Sequence, residues 1–160
     1  MISKNTEPLP PGRAYQYALR LLTGRDYSTA RVRAKLAARE VDEGDLEAVI
    51  LRLQQEGWLD DRRYAERFAE SALSSGRYYG TRLRLEMRRR GFTPDVVNEA
   101  LAHLLAESDE VSEVRAVVVR RYPGFSYSAA SDRDKRRVVG FLQRRGFGFS
   151  AIMRALRTDE

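Results

Sequence analysis

Arginine supplies most of the side chains in this sequence that could do chemistry. Lysine and arginine account for 29 of the 160 residues and aspartate and glutamate for 23, which gives a net charge of +6. Lys4, Lys35 and Lys135 are the only lysines, and the other 26 basic residues are arginines. The planar guanidinium group binds phosphate and carboxylate groups through two parallel hydrogen bonds. We therefore expect an anionic partner, and nucleic acid is the first candidate.

Residue types that carry metal and nucleophilic chemistry are scarce. The sequence has no cysteine and one histidine, His103, which excludes a disulfide scaffold, a zinc–thiolate site and a two-histidine metal motif. The neighbouring carboxylates Asp60 and Asp61 fit the start of a helix, where the helix dipole favours negative charge, better than a metal site. No nucleotide-binding glycine motif and no set of nucleophile and base are found. The sequence thus predicts a protein that is not an enzyme and needs no cofactor or metal.

The elements that must position the arginines come from an internal repeat. A shift of 51 positions places Leu46 and Ile50 on Val97 and Leu101, and a further shift of 55 places residues 91–92 on residues 146–147. Each copy contains three segments with apolar residues at helical spacing, and no alternating strand pattern is found. These patterns predict an all-α fold of three tandem three-helix repeats stacked into an elongated, curved rod.

Nine helices are predicted. Their spans are 13–23, 28–39, 43–56, 61–74, 79–90, 94–106, 110–121, 132–145 and 149–158. The corresponding division of the chain is a flexible tail over 1–12 and repeats over 13–58, 59–108 and 109–160, the last with an inserted loop at 123–131. No targeting or membrane-spanning pattern is visible, so we expect a cytoplasmic protein without a membrane partner.

Glycine and aromatic residues mark the turns between helices. Gly57, Gly91 and Gly146 follow helices and suit the left-handed conformation that ends them. Phe92 and Phe147 come directly after two of these glycines and are predicted to fill the core. Trp58 is assigned to a core between repeats rather than to stacking on a nucleic-acid base.

Basic residues are concentrated on the middle helix of each repeat. Residues 77–91 hold six arginines against Glu86, whereas the third helix is acidic in the first two repeats. A solvated face paired with the acidic helices would explain single arginines, but recurrence in three copies favours a surface that binds a polyanion. Tyr78 is included as a stacking candidate. The candidate contact residues are Arg31, Arg33, Lys35, Arg77, Tyr78, Arg82, Arg84, Arg88, Arg89, Arg133, Lys135, Arg136, Arg137 and Arg144.

Three motifs together resemble the RecX family, whose members regulate the RecA recombinase. Residues 57–65, Gly-Trp-Leu-Asp-Asp-Arg-Arg-Tyr-Ala, are similar to a family block with a glycine, an aromatic residue and a Leu-Asp-Asp run. Residues 80–92, from Gly80 to Phe92, resemble a second block that ends in a basic residue, a glycine and an apolar residue. Residues 18–28, followed by Val32 and Leu36, resemble the opening block. The turn Arg39-Glu40-Val41 departs from the glycine turn of the other two repeats.

The resemblance implies a fold of tandem three-helix repeats and a negative regulator of RecA. Such a protein would bind in the groove of the RecA–DNA filament and inhibit ATP hydrolysis, strand exchange and filament growth. The resemblance also implies weak binding to single-stranded and double-stranded DNA and a monomeric protein. It supplies no catalytic residues.

Two other functions remain open at the level of the sequence. A stand-alone DNA-binding protein, acting as a repressor or an architectural factor, would bind DNA tightly without RecA. A protein-binding scaffold that uses the acidic helices would show no salt-dependent DNA binding at all.

Overall fold

Nine α-helices form the part of the chain that the computed structural model describes, which is residues 7–10, 12–106 and 108–157. They are α1 (Ala14–Gly24), α2 (Thr29–Ala38), α3 (Glu43–Gln55), α4 (Asp61–Ser75), α5 (Gly80–Arg89), α6 (Pro94–Ala106), α7 (Glu110–Arg121), α8 (Asp132–Arg144) and α9 (Phe149–Arg157). These residues contain no strand, so the all-α architecture of three tandem three-helix units is confirmed. None of these helices combines the length and the apolar character that crossing a membrane requires.

Side-chain caps explain where several helices begin. Ser28, Asp60 and Ser131 precede α2, α4 and α8, and each accepts a hydrogen bond from the backbone N–H three residues further on. Asp61 lies in the first turn of α4, and its carboxylate also accepts the backbone N–H of Thr29 at 2.8 Å. The structure therefore confirms the Asp60–Asp61 pair as the acidic start of a helix, and it shows that Asp61 ties α4 to the start of α2.

Each repeat has its own hydrophobic core. Leu36 and Leu53 lie in the first core, Leu83 and Met87 in the second, and Leu142 in the third, all without solvent exposure. Stacking of the repeats does not merge these clusters into one continuous core. The elongated form must therefore depend on the contacts between successive repeats.

Aromatic residues at the turns take two different positions. Phe92 and Phe147 are buried in the second and third cores, which confirms the prediction for both. The assignment of Trp58 to a core between repeats is wrong, because its side chain is 45% exposed while Leu59 is buried in the first core. Gly57 turns the chain with φ +80, and both following backbone N–H groups then bond to the carbonyl oxygen of Leu53. Leu59, and not Trp58, therefore occupies the first core in this turn.

The described part of the tail contacts the first repeat. Residues 1–6 and 11 of the predicted tail lie outside the described residues. In the segment 7–10, the backbone N–H of Leu9 donates to the carbonyl oxygen of Arg39 at 3.1 Å, and Arg39 Nε donates to the carbonyl oxygen of Glu7. Leu9 also packs against the first core. This segment therefore docks on the C-terminal end of α2.

Successive repeats meet at joints between their middle helices. The first joint lies between α2 and α5, where the Ser28 hydroxyl donates to the carbonyl oxygen of Arg90 at 2.6 Å. The second lies between α5 and α8, where the backbone N–H of Tyr79 donates to the carbonyl oxygen of Arg145 at 2.7 Å. The internal repeat places Ser28 on Tyr79 and Arg90 on Arg145, so the two joints use equivalent positions.

Glycine makes both joints possible. Gly91 and Gly146 adopt φ values of +95 and +103, and a Cβ on Gly146 would lie 2.0 Å from the carbonyl oxygen of Tyr79. A Cβ on Gly91 would lie 2.6 Å from the hydroxyl oxygen of Ser28. Glu40 holds the equivalent position in the first repeat at φ +57, where its side chain is exposed and has room. Glu40 shows that the turn conformation alone does not require glycine. Glycine is required at the joints because the neighbouring repeat lies so close to the backbone there.

The joints align the three middle helices head to tail. The C-terminal turn of α8 meets the start of α5, and the C-terminal turn of α5 meets the start of α2. The partial negative charge at each C-terminus thus faces the partial positive charge at the next N-terminus. Tyr79 strengthens the second joint because its ring stacks on Phe147 with the ring centres 4.8 Å apart.

We expect the molecule to be elongated in solution. Its accessible surface is 10443 Å², whereas a compact monomer of 18.3 kDa exposes about 8,100 Å². A compact chain of this length would have a radius of gyration of about 15 Å. Small-angle X-ray scattering should give a clearly larger value, and a value near that of the compact chain would contradict the open arrangement of the joints.

The substitution Gly146→Ala should open the second joint. Gly124→Ala is the matched control, because Gly124 has φ +76 and no atom within 4 Å of a built Cβ. Both changes place alanine in a left-handed conformation, which costs about 1 kcal/mol. Gly146→Ala should lower the free energy of unfolding in urea by about 2 kcal/mol more, because its Cβ meets backbone atoms. Equal losses for the two variants would show that the close contact contributes nothing.

Candidate polyanion-binding interface

The row of helices α2, α5 and α8, here called the basic row, carries an arginine on each side of each joint. Arg31 and Arg89 line a cleft at the first joint, and Arg82 and Arg144 line a cleft at the second. The internal repeat places Arg31 on Arg82 and Arg89 on Arg144. In each cleft one arginine comes from the start of a middle helix and the other from the end of the next. Two equivalent arginine pairs thus lie along the row.

The first cleft is the smaller and holds charged groups of both signs. It has a volume of about 260 Å³, and Arg25 and Arg90 also line it together with Asp26 and Glu86. The Arg31 guanidinium donates to the carbonyl oxygen of Arg89, which fixes it across the joint. Arg90 donates to the Tyr64 hydroxyl at 3.2 Å, so its guanidinium supports the cleft wall.

The second cleft combines charge with an exposed apolar residue. It has a volume of about 490 Å³, and its lining includes Leu85, Gln143 and Arg144. The side chain of Leu85 is 41% exposed and is therefore available to a partner.

Several candidate arginines already have partners in the fold. Arg33 donates two hydrogen bonds to the carboxylate of Glu47 on α3, at 2.8 and 3.1 Å, and these bonds lower the pKa of Glu47. Arg84 donates to the side-chain oxygen of Asn98 on α6 at 2.7 Å. For these two residues the interpretation as a solvated face, paired within the repeat, is the better one.

Arg82 and Arg89 share one carboxylate oxygen on their own helix. Glu86 Oε1 lies 2.9 Å from a guanidinium nitrogen of Arg82 and 3.1 Å from one of Arg89. The side chain of Glu86 is only 15% exposed. Arg82 and Arg89 therefore lie on the same side of α5. Glu86 partly neutralises the centre of the basic row.

A second group of candidates is free for a partner. The side chains of Arg77, Arg88, Arg133, Arg136 and Arg144 are exposed and make no hydrogen bond or ion pair to any described residue. Uncommitted guanidinium groups of this kind bind phosphate or carboxylate without first breaking an internal contact. They lie along α5 and α8 or just before α5, so the second and third repeats carry most of the available charge.

The remaining candidates pack on aromatic rings. Arg82 also lies over the ring of half-buried Tyr78, at 5.8 Å from the ring centre, and Tyr78 packs against the second core. The ammonium groups of Lys35 and Lys135 lie over tyrosine rings at 5.5 and 4.7 Å. Arg137 lies over the ring of Tyr122 at 5.7 Å. These cations keep their charge while their stems cover apolar surface.

Two arginines with a structural role were missed from the sequence. Arg90 supports the first cleft, and Arg145 donates to the carbonyl oxygen of Arg77 across the second joint at 3.0 Å. Both directly precede the joint glycines, Gly91 and Gly146, at equivalent positions of the repeat. That position was the signal available in the sequence. Among the described residues no cluster of carboxylate or histidine groups suits a metal ion.

Comparisons with known proteins agree with the repeat architecture. Models of the first, second and third three-helix domains of RecX match residues 14–53, 60–101 and 108–156. The regulatory protein RecX of Trichlorobacter lovleyi is 44% identical over 137 residues, which cover 86% of this chain and 89% of that protein. A regulatory protein RecX of Thermus thermophilus is 41% identical over 145 residues, 90% of each chain.

Solved structures show the same fold. The crystal structure of RecX from Lactobacillus salivarius has a TM-score of 0.71 at 20% identity, covering 91% of this chain and 93% of that one. A second crystal structure of a regulatory protein RecX has a TM-score of 0.69 at 19% identity, covering 92% of this chain and 72% of that one. At such low identities the structural likeness supports the fold alone.

The basic row yields a prediction about Glu86. The substitution Glu86→Gln removes one negative charge and releases Arg82 and Arg89, so it should strengthen binding to a labelled single-stranded oligonucleotide by about threefold at low salt. Fluorescence anisotropy measures the affinity. Glu99→Gln is the matched control, since Glu99 lies outside the basic row. Its carboxylate accepts a hydrogen bond from Arg62 Nε at 2.9 Å. Equal strengthening by both variants would show that net charge alone governs binding.

Proposed function

The chain belongs to the RecX family of regulatory proteins, and on this basis we propose that it is a negative regulator of the RecA recombinase. Family membership carries this proposal, and a place in DNA repair and recombination fits it. The protein binds in the groove of the RecA–DNA filament and inhibits ATP hydrolysis, strand exchange and filament growth. It works as a monomer in the cytoplasm by binding rather than by catalysis.

The basic row supports a binding mode along the filament. Three head-to-tail middle helices with arginine pairs at two joints offer anion-binding groups at repeated intervals. The uncommitted arginines Arg88 and Arg144 engage acidic groove walls and accessible phosphate. A chain that contacts neighbouring RecA protomers at once gains affinity from each contact. Bridging of this kind stabilises one arrangement of the protomers and opposes the rearrangements that accompany ATP hydrolysis.

Inhibition of RecA ATP hydrolysis below one copy per RecA tests the proposal. The assay uses RecA on saturating single-stranded DNA, with free DNA in excess of what the added protein could cover. Inhibition well below equimolar protein should occur, because one bound regulator affects a whole filament. Absence of inhibition, or inhibition relieved by adding more DNA, would favour the stand-alone DNA-binding function instead.

Charge reversal in the basic row should remove the inhibition. The double substitution Arg88→Glu and Arg144→Glu changes two exposed side chains with no described partner, so helicity measured by circular dichroism should not change. We expect at least a tenfold higher concentration for half-inhibition, because two charge-assisted contacts are lost. The control Arg13→Glu and Arg20→Glu makes the same change in net charge at exposed residues outside the row. Unchanged inhibition by the first variant would exclude this surface.

A further inference from the structure

The third repeat contains a cavity that lies within the repeat, unlike the two clefts at the joints. It has a volume of about 520 Å³ and lies between α7, the start of the loop after α7, and the last turns of α9. Val118, Ala155 and Leu156 form a buried apolar floor. Val119 lines it as well and is 72% exposed, which makes it the most exposed large apolar side chain in the described residues. The loop closes the cavity with the rings of Phe125 and Tyr127.

One charged group in this wall has an unmet hydrogen bond. Arg115 on α7 lines the cavity, and its Nε–H is buried without an acceptor among the described residues. A buried donor without a partner costs stability, so such groups need an explanation. Among the described residues, no acidic side chain lines the cavity, whereas Lys135 and Arg157 lie over the ring of Tyr127 at its edge. The cavity therefore offers positive charge around an apolar floor.

The same cations disfavour a nucleic-acid base as the occupant. A base needs an open aromatic face on which to stack. Lys135 and Arg157 lie over the ring of Tyr127, and the guanidinium of Arg137 lies over the ring of Tyr122. The floor is aliphatic, which suits an apolar side chain. A chain segment with an apolar side chain beside carboxylates matches both the floor and the charge.

We propose that this cavity is a docking site for a short acidic peptide segment of a partner protein, anchored by one aromatic or large aliphatic side chain. The anchor covers Val118 and Val119, and a carboxylate of the segment accepts the hydrogen bond from Arg115 Nε. The site depends on the loop between α7 and α8, so it is specific to the third repeat, and it meets the basic row where Lys135 and Arg137 lie over its tyrosine rings.

A labelled peptide tests the docking site directly. The probe is a fluorescein-labelled peptide of sequence Gly-Ser-Asp-Glu-Phe-Asp-Glu-Ser-Gly, titrated with the full chain and followed by fluorescence anisotropy. The same peptide with serine in place of phenylalanine should bind about tenfold more weakly, because the apolar anchor is lost. A peptide with lysine in place of the acidic residues should not bind. No binding of the first peptide up to millimolar protein would overturn the proposal.

Two variants of the protein locate the binding. Arg115→Met should weaken the peptide about tenfold and should leave the thermal unfolding midpoint unchanged or raised, since it removes a donor that the fold does not satisfy. Val119→Asp should weaken it to a similar degree by placing a carboxylate at the rim. Ala116→Asp is the control, since Ala116 is exposed on the same helix outside the cavity and receives the same charge.

Two outcomes would contradict a peptide site. Equal loss of binding in Ala116→Asp and Val119→Asp would show general charge attraction. Displacement of the peptide by a single-stranded oligonucleotide whose own affinity falls in Arg115→Met and Val119→Asp would assign the cavity to nucleic acid. The titration contains neither RecA nor a filament, so its failure and failure of the proposed function are distinguishable.

Discussion

The close backbone contact at the two joints is the constraint on which the rest of the structure depends. Each repeat folds around its own core, so no continuous apolar core holds the three units in line, although Tyr79 stacks on Phe147 across the second joint. The alignment comes from the turns at Gly91 and Gly146. Because glycine has no side chain, each turn lies in close contact with the first residues of the preceding middle helix. Two hydrogen bonds to backbone carbonyl oxygens then fix each contact. A small set of atoms thus decides where the arginines stand relative to one another.

Most of the fold could be predicted from the sequence because helical periodicity and the internal repeat reinforce each other. The positions that failed were those decided by contacts between elements. Trp58 was assigned to a core because it is large and apolar, but the left-handed turn at Gly57 gives that position to Leu59. The joint glycines were identified as helix ends, which explains their conformation, but their contact with the preceding repeat has no local sequence pattern. Leu9 was included in the flexible tail over 1–12, but it packs against the first core.

The candidate site was predictable as a row but not residue by residue. Counting charge along α5 identified its basic excess, yet only the structure shows that Glu86 holds Arg82 and Arg89 together. Arg33 looked equivalent to the others and is instead bound to Glu47. Side chains of one type on one helix therefore divide into those that hold the repeat together and those that are free. That division depends on polar neighbours, of which Glu86 lies on the same helix, whereas Glu47 and Asn98 lie on the next helix of the repeat.

The head-to-tail order of the middle helices gives the molecule a direction. The three run along the row in one sense, with the start of α8 at one end and the end of α2 at the other, where residues 7–10 dock. Turning the molecule end for end would exchange the acidic first turn of α8 with the docked segment and would reverse every helix dipole. The two opposite orientations of the molecule on a linear partner whose ends differ are thus chemically different. A protein of this form distinguishes one end of such a partner from the other without any change of shape.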